Sequence, residues 1–468
     1  MKNLTIQDIV NCTQGILVNG SEEIICKGFS KDTRTIKETD IYIGIKGEHF
    51  DGNLFWDKAL DNGAMGVIVQ DIDFTGEDLK KYKDKVIIKV KDTLQALYQL
   101  ASYKRSLYKI PVVAITGSVG KTSTKDIVAN VLAQKYKTLK TIGNNNNNIG
   151  LPFTILNTPD DIEIMVLEMG MNHFGEIHLL SEIAKPNVCI ITNIGTSHIG
   201  NLGSRENILK AKLEILDGAQ NPCMIINNDN DLLHKWYEEN KEKWNIKTYG
   251  IKNKSDIVAK NIILKENSSE FNIYLNGQEE KINVPVGGEH FVLNSLCAIT
   301  VGEILTVENN KIKNGIESFT LTKKRMETIA LENDIKIIND TYNSSVESVK
   351  ATLEYMNHME ANRRIAVLGD ILETGKFAKE LHERIGEIVC ENNIDILICS
   401  GEKAKYIVES AKKKGFPEKD IYYFKNKEEI VELLKQIVKE KDVILFKASN
   451  GMRFFDIVEK VKGVLAEK

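Results

Sequence analysis

Apolar residues along this chain fall into two rhythms. Short unbroken apolar runs, the mark of buried strands, alternate with stretches whose apolar positions recur every three or four residues, the mark of helices packed on one face. The alternation is clearest after residue 321. Runs at 336–339, 365–368, 394–399, 421–424 and 443–446 read as strands, with helices between them such as 427–439 and 452–465. That order predicts a mostly parallel, doubly wound sheet. The centre reads similarly, with strands at 112–115, 162–167, 188–193 and 224–227, a helix at 206–216 and another opening near Phe291. Residues 257–286 instead alternate in β fashion around Asn276-Gly277, a hairpin-turn pair. Ahead of these lie a helix-like 53–62, strands at 66–70 and 86–90, and a helix over 92–108. The pattern predicts an α/β protein of three domains: a small α/β domain over 1–84, a parallel-sheet domain over 85–321 and a doubly wound, Rossmann-like domain over 322–468.

Length agrees with that division, since 468 residues exceed one ordinary core and suggest roughly three. Composition mostly excludes. A net charge of −4 gives no reason to expect nucleic acid or an anionic membrane as partner. No apolar run is long enough to span a bilayer, and the opening Met1-Lys-Asn-Leu-Thr lacks a signal-peptide core, so a cytoplasmic protein is expected. Seven cysteines are scattered without metal-type pairing, and Cys189, Cys297 and Cys399 lie in apolar runs as buried thiols. Nothing resembles a coiled coil or a repeated apolar face, so the expected state is a monomer.

The candidate chemistry starts at 111–125. The apolar strand is followed by the small-residue turn Gly117-Ser118-Val119-Gly120, and Lys121-Thr122-Ser123 then open a helix carrying Ile127, Val128, Val131 and Leu132 on one side. Strand, glycine turn and helix start make an anion cradle of backbone N–H groups and helix dipole. Lys121 adds a mobile charge for β/γ-phosphates and Thr122 a hydroxyl for Mg²⁺. The spacing is shorter than the general P-loop, because Ile115 stands where its first glycine would be. A glycine-rich turn with a surface lysine is the plain alternative. The C-terminal domain has no Gly-x-Gly-x-x-Gly, so no dinucleotide is implied.

Other residues gather round this turn in sequence order. Glu168 ends a predicted strand, where an α/β sheet presents ligand-binding groups, and is a candidate Mg²⁺ ligand. His198 follows a glycine turn, which fits a ligand role and a surface role equally; His173 reads as a surface residue. The run Asn144 to Asn148 fits a floppy loop or amide contacts to a ligand. Lys210 and Lys212 read as solvated lysines on a helix. Asp32, Thr33 and Arg34 in a turn between strands suit a pyrimidine edge and a diphosphate, and fit a solvated turn as well. Lys46-Gly47-Glu48 and Asp51-Gly52 read as turns.

In their order, these motifs resemble the Mur ligases, over nearly the whole chain. The resemblance rests on Asp32-Thr-Arg34, Ile43-Gly-Ile-Lys-Gly-Glu-His-Phe-Asp-Gly52, the shortened loop Thr116-Gly-Ser-Val-Gly-Lys-Thr-Ser123, and Gly143-Asn144, Asn146-Asn147 and Ile149-Gly150-Leu-Pro152. Asp340-Thr-Tyr-Asn343 and Gly369-Asp370-Ile-Leu-Glu373 with His382 match further on. It implies UDP-substrate roles for Asp32, Thr33, Arg34, Lys46, Asn144, Asn146 and Asn147. It implies ATP contacts from Gly117, Ser118, Gly120, Lys121, Thr122, Ser123, Asn294, Arg325, Asp340, Tyr342 and Asn343, with Gly288-Glu-His290 near adenine and ribose. Two Mg²⁺ ions are implied, on Thr122, Glu168, His198 and a Lys212 converted by CO₂ to a carbamate. Lys121, Glu168, His198 and Lys212 would then be the catalytic set.

What this implies is an ATP-dependent ligase of peptidoglycan precursor synthesis. A UDP-N-acetylmuramoyl-tripeptide would be activated as an acyl phosphate and joined to D-alanyl-D-alanine. An amino-acid-adding member of the superfamily, or a variant dipeptide such as D-Ala-D-Ser, is the alternative. Two stretches depart from the family pattern, both in the domain expected to bind the dipeptide. Ala-Asn-Pro-x-Ser is replaced by Ser344-Ser-Val-Glu-Ser348, and Lys-Gly-Ser-Arg by Lys447-Ala-Ser-Asn450, with Arg453 three residues on.

Overall fold

The strands foreseen from apolar runs are strands of three sheets in a computed structural model, all of them interior except Ile421–Phe424, and the structure describes residues 2–466 except 48, 276, 322 and 323. Glu48 of the predicted turn and Asn276 of the predicted hairpin lie outside the described residues. The chain divides into two compact units, one of Met1–Ala114, Tyr136–Cys189 and Glu214–Pro222, the other of Ile115–Lys135, Ile190–Leu213 and Cys223–Lys468.

The first unit holds a five-stranded sheet in the order Ile16–Asn19, Val86–Lys89, Gly66–Val69, Asp40–Ile43, Gly28–Ser30. Its last four strands run parallel, and only Ile16–Asn19 is antiparallel to its neighbour. Tyr42, Leu60, Val67, Val69 and Ile87 pack one face, with Trp56 edge-on to Phe74 and Tyr82. The helix Trp56–Asp61 covers that face after a 3-10 turn at Gly52–Phe55 that Asp51 caps, so the helix-like 53–62 is met in two pieces. The same unit contains Thr138–Lys140 parallel to Ile164–Glu168, followed in the sheet by the first residues of Val112–Thr116 and Val188–Ile191.

In the second unit the last residues of Val112–Thr116 and Val188–Ile191 are followed by Cys223–Asn227, Asn245–Gly250 and Ile257–Val258. The last three strands are parallel. The helix Lys121–Ala133 packs against Glu289–Ile304 and Asn309–Glu317. The approach is close: a Cβ on Gly315 would lie 2.5 Å from the Val131 Cα. The alternating stretch forms an antiparallel sheet of Lys260–Leu264, Ser269–Leu275 and Gln278–Val284, with Leu275 opposite Gln278 across the expected hairpin. The predicted helix 206–216 is α-helical over Arg205–Leu213 and tightens to a 3-10 turn at Glu214–Leu216.

The C-terminal residues form the doubly wound sheet, in the order Glu327–Ala330, Lys336–Asn339, Asp442–Lys447, Arg363–Gly369, Ile396–Ser400, Ile421–Phe424. All pairs are parallel except the first. Ile337, Ile365, Val367, Ile398, Ile444, Phe446 and Phe454 are buried between the sheet and the helices Glu429–Ile437 and Phe454–Ala466. Cys189, Cys297 and Cys399 are buried free thiols, as expected. No helix among the described residues is long and apolar enough to cross a membrane.

Candidate functional site

The loop after Val112–Thr116 is held as a cradle by hydrogen bonds to the chain that follows Val188–Ile191. Gly117 and Gly120 have φ of 153° and 82°, in the region open to glycine. Gly117 also sits where a Cβ would lie 1.9 Å from the Thr192 Oγ1. The Ser118 N–H donates to the Asn193 carbonyl at 3.0 Å. Asn193 then grips the next residue with its side chain: the Val119 N–H donates to Oδ1 and the Asn193 amide donates to the Val119 carbonyl, both at 2.9 Å. The Ser118 hydroxyl accepts from the Gly195 N–H at 2.9 Å, so the side chain expected to meet ATP also shapes the turn. Gly120 precedes the helix as its cap residue, and Lys121 folds back so that Nζ donates to the Gly117 carbonyl at 2.8 Å. Thr122 is buried and Ser123 half-buried in the first turn.

Three predicted residues of this unit gather at the turn. Asn294, on Glu289–Ile304, accepts from the Thr124 hydroxyl at 3.0 Å, and its Oδ1 would touch a Cβ placed on Gly120. Lys212 is 1 % exposed, whereas Lys210 is exposed, so the helix turns only Lys212 inward. Burial holds the Lys212 amine well below the usual lysine range, and the charge of Lys121 adds to the effect. His198, in a left-handed conformation with φ 63°, approaches Glu373, Nδ1 to Oε2 2.5 Å. The earlier reading of Lys212 as a solvated lysine is corrected by its burial.

At the C-terminal sheet, Arg325 lies 4.0 Å over the Tyr342 ring. Asp340 follows its strand and accepts from the buried Lys447 ammonium at 2.5 Å, from the Thr352 hydroxyl and from the Met326 N–H. Lys447 also donates to the Asn343 carbonyl, while the Asn343 side chain is exposed and caps the Ser344 N–H. Burial pushes the His290 imidazole down to about 4.

In the first unit, Asp32 and Arg34 form a bidentate pair, with the carboxylate also capping the Arg34 N–H. That pairing pulls the Asp32 carboxyl down to about 2. The guanidinium stays 82 % exposed, open to an anion. Thr33 offers its carbonyl to Asn62. Lys46 follows the adjacent parallel strand and pairs loosely with Asp71 at 3.9 Å instead of joining Asp32. Burial, with the carboxylates of Asp32 and Asp51 adding to it, pushes the Tyr42 phenol up to about 12.

The asparagine run is ordered by its own amides. Asn146 donates to the Glu168 carboxylate at 2.8 Å, Asn147 caps the start of Gly150–Leu156 through the Gly150 N–H at 2.8 Å, and Asn148 meets the Tyr98 hydroxyl at 3.1 Å. Asn144 is exposed. Glu168, at the end of Ile164–Glu168, is 1 % exposed and its N–H donates to the Thr141 hydroxyl. His173 is exposed, as expected.

Sequence reasoning missed Asn193 and Lys447 as site-shaping residues. The signal for each was its place at the C-terminal end of a buried parallel run, where an α/β sheet presents its ligand-binding groups.

Comparison with known proteins follows the same outline. The chain matches the Mur ligase family, catalytic domain, over 27–105, the Mur ligase middle domain over 115–302, and the Mur ligase, glutamate ligase domain over 324–450. It is 35 % identical to the UDP-N-acetylmuramoyl-tripeptide–D-alanyl-D-alanine ligase of Bacillus subtilis, over 97 % of both chains. Its fold is similar to the crystal structure of MurF from Acinetobacter baumannii, with TM-score 0.89, 28 % identity and coverage of 98 % and 99 % of the two chains. It is also similar to the MurF ligase of Thermotoga maritima in complex with ADP, with TM-score 0.81, 29 % identity and coverage of 94 % and 98 %. With three models of one family along its length and relatives matched from end to end, the chain belongs to the Mur ligase family.

Proposed function

We propose that this protein is the ATP-dependent ligase that joins D-alanyl-D-alanine to UDP-N-acetylmuramoyl-tripeptide, giving the pentapeptide precursor of peptidoglycan, ADP and phosphate, in the cytoplasm. The observation that carries the reading is the end-to-end similarity to relatives named for this reaction, in a chain that keeps the Gly117–Thr122 cradle and its lysine. Segments 1–84, 85–321 and 322–468 are assigned the UDP-substrate, the ATP and the dipeptide respectively. Asp32, Thr33, Arg34, Lys46, Asn144, Asn146 and Asn147 are assigned to the UDP-linked substrate. Gly117 to Ser123, Asn294, Arg325, Asp340, Tyr342 and Asn343 are assigned to the nucleotide.

A carboxylate is a poor electrophile, so the tripeptide carboxylate first attacks the γ-phosphorus of ATP. A P–O bond forms, the bond to the β-phosphate oxygen breaks, and ADP leaves. The backbone N–H groups at the start of the helix Lys121–Ala133 and the Lys121 ammonium stabilise charge on the phosphoryl oxygens as it moves. The dipeptide amine then attacks the acyl carbon, and the tetrahedral intermediate loses phosphate and a proton to give the amide. No protein nucleophile takes part; the residues position and neutralise.

The oxygen donors Thr122 and Glu168 suit a hard cation, and the His198 imidazole is a softer addition to them. Thr122 offers a hydroxyl, Glu168 a buried carboxylate and His198 an imidazole, and these are the residues proposed to hold Mg²⁺. Mg²⁺ supplies Lewis-acid neutralisation of phosphate charge when bound. Lys212 suits a carbamate because CO₂ adds only to a neutral amine, and this amine is buried with no hydrogen bond or ion pair among the described residues. The test is phosphate release. It should require ATP, Mg²⁺, UDP-tripeptide and dipeptide together, and equal turnover without either acceptor or donor overturns the assignment. Lys121→Ala should lower kcat by about 10²–10³-fold.

A further inference from the structure

The contact between His198 and Glu373 is made by two residues whose backbones both stand in the left-handed region, with φ of 63° and 58°. For residues other than glycine that conformation is unfavourable, and such residues persist where surrounding structure over-determines them. The contact itself does not explain the arrangement by its energy, because the Glu373 carboxylate is 47 % exposed and an exposed pair contributes little to stability. The contact must be read for what it does to the imidazole.

Glu373 grips the 198–200 segment twice. Its carboxylate meets His198 Nδ1 at 2.5 Å, and its carbonyl accepts from the Gly200 N–H at 3.0 Å. The two backbones touch so closely that a Cβ on Gly200 would lie 2.5 Å from the Glu373 carbonyl oxygen and 2.6 Å from the Gly375 nitrogen. The segment that carries Glu373 is fixed from behind. The Ile371 N–H donates to Nε2 of the fully buried His382, whose Nδ1–H donates to the Ala378 carbonyl at 2.6 Å. The next N–H, of Leu372, donates to the Ser449 hydroxyl at 2.9 Å. Asp370 is anchored by the Lys403 and Ala404 N–H groups. A carboxylate placed by three such anchors is a fixed acceptor.

An ionised carboxylate only accepts, so the shared hydrogen belongs to His198 Nδ1. The other nitrogen, Nε2, is then a lone-pair donor in the neutral ring, the form in which an imidazole binds a cation or accepts a proton. We infer that Glu373 is a positioning residue for the ligation reaction, fixing His198 in the Nδ1–H tautomer and in one orientation so that Nε2 is presented to the bound substrates and their cation. The kinetic part of this inference rests on the ligase reading; the tautomer does not.

The test combines kinetics with imidazole nitrogen NMR. In wild-type protein free of nucleotide and metal, at a pH where the ring carries a single proton, His198 should show protonated Nδ1 and bare Nε2, and in Glu373→Leu the tautomers should mix. Glu373→Leu should lower kcat by about 10–100-fold with KM for ATP and dipeptide within about twofold. Glu373→Gln, which keeps an acceptor oxygen, should recover most of that loss. The double variant Glu373→Leu/His198→Ala should fall no further than His198→Ala alone. A wild-type spectrum with protonated Nε2, full kcat in Glu373→Leu, or additive losses in the double variant overturns the inference. Absence of amide formation by the wild-type enzyme would instead overturn the ligase reading, and the spectrum would still decide the role of Glu373.

Discussion

Lys212 shows most directly what a single residue can cost and supply. Folding buries its amine without a described counter-charge, so the native state resists the proton that the unfolded chain binds below about pH 10.4. A lysine whose native pKa is lowered makes the unfolded state the better proton binder, and stability therefore rises with pH until the unfolded lysine also loses its proton. Lys212→Met should melt above the wild type at pH 7 in CO₂-free buffer, and the gap should close as pH approaches about 10. Added bicarbonate should raise the Tm of the wild type alone, because a ligand bound only by the native state stabilises it by mass action. The same variant should lose about 10²-fold or more in kcat. A Lys212→Met protein no more stable than wild type at pH 7, and a wild type blind to bicarbonate, would remove the neutral amine from the mechanism. Helical pattern alone left Lys210 and Lys212 equivalent and only the family resemblance singled out Lys212, because two lysines two apart point to different sides of a helix and packing decides which side is inside. Arg34 was legible differently: its turn was visible, but its bidentate grip on Asp32 was not.

At the scale of elements, what was legible divides along burial. Interior strands such as Val112–Thr116 and Asp442–Lys447 are fully buried and announce themselves as apolar runs. Three strands that went unforeseen, Ile16–Asn19, Thr138–Lys140 and Glu327–Ala330, lie at sheet edges and are half exposed, and another, Asn245–Gly250, is interior but exposed or half-exposed along its first three residues. An edge strand needs no continuous apolar run, so periodicity cannot find it. The departures from the family pattern become ordinary at this scale. Ser345 is the N-cap of Val346–Met356, with Ser348 completing a capping box. Val346 then occupies the first helical position, where proline is favoured but not required. Ala448 is fully buried with no left-handed φ, so glycine is not needed there. The cradle depends instead on Asn193, which replaces two strand-type hydrogen bonds by a side chain. Asn193→Leu would strand the Val119 N–H, while the Val119 carbonyl keeps the Thr192 hydroxyl at 2.7 Å, at about 1–3 kcal/mol for the donor left unsatisfied. Urea unfolding should report a loss of that order, and the KM for ATP should rise by at least tenfold. A variant with unchanged ATP affinity would show that the turn keeps its shape without that grip.

For the whole molecule, the assignment divides ligands between stretches far apart in sequence, and that division can be read without turnover. A ligand bound by the native protein suppresses opening of the segments that hold it, so amide hydrogen exchange locates each substrate separately. A non-hydrolysable ATP analogue with Mg²⁺ should slow exchange across 117–124 and 193–200, where the amides of Ser118, Val119 and Gly195 already close the cradle. UDP-tripeptide alone should protect 30–36, where Asp32 and Arg34 hold the turn while leaving the guanidinium exposed. At 100 times its Kd each ligand should add about 2.7 kcal/mol to the stability of the state that binds it. The two protection maps should therefore be distinct when each ligand is added singly. Protection of 30–36 by the nucleotide, or of 117–124 by UDP-tripeptide, would reverse the assignment of substrates to these turns while leaving the fold and the family membership untouched.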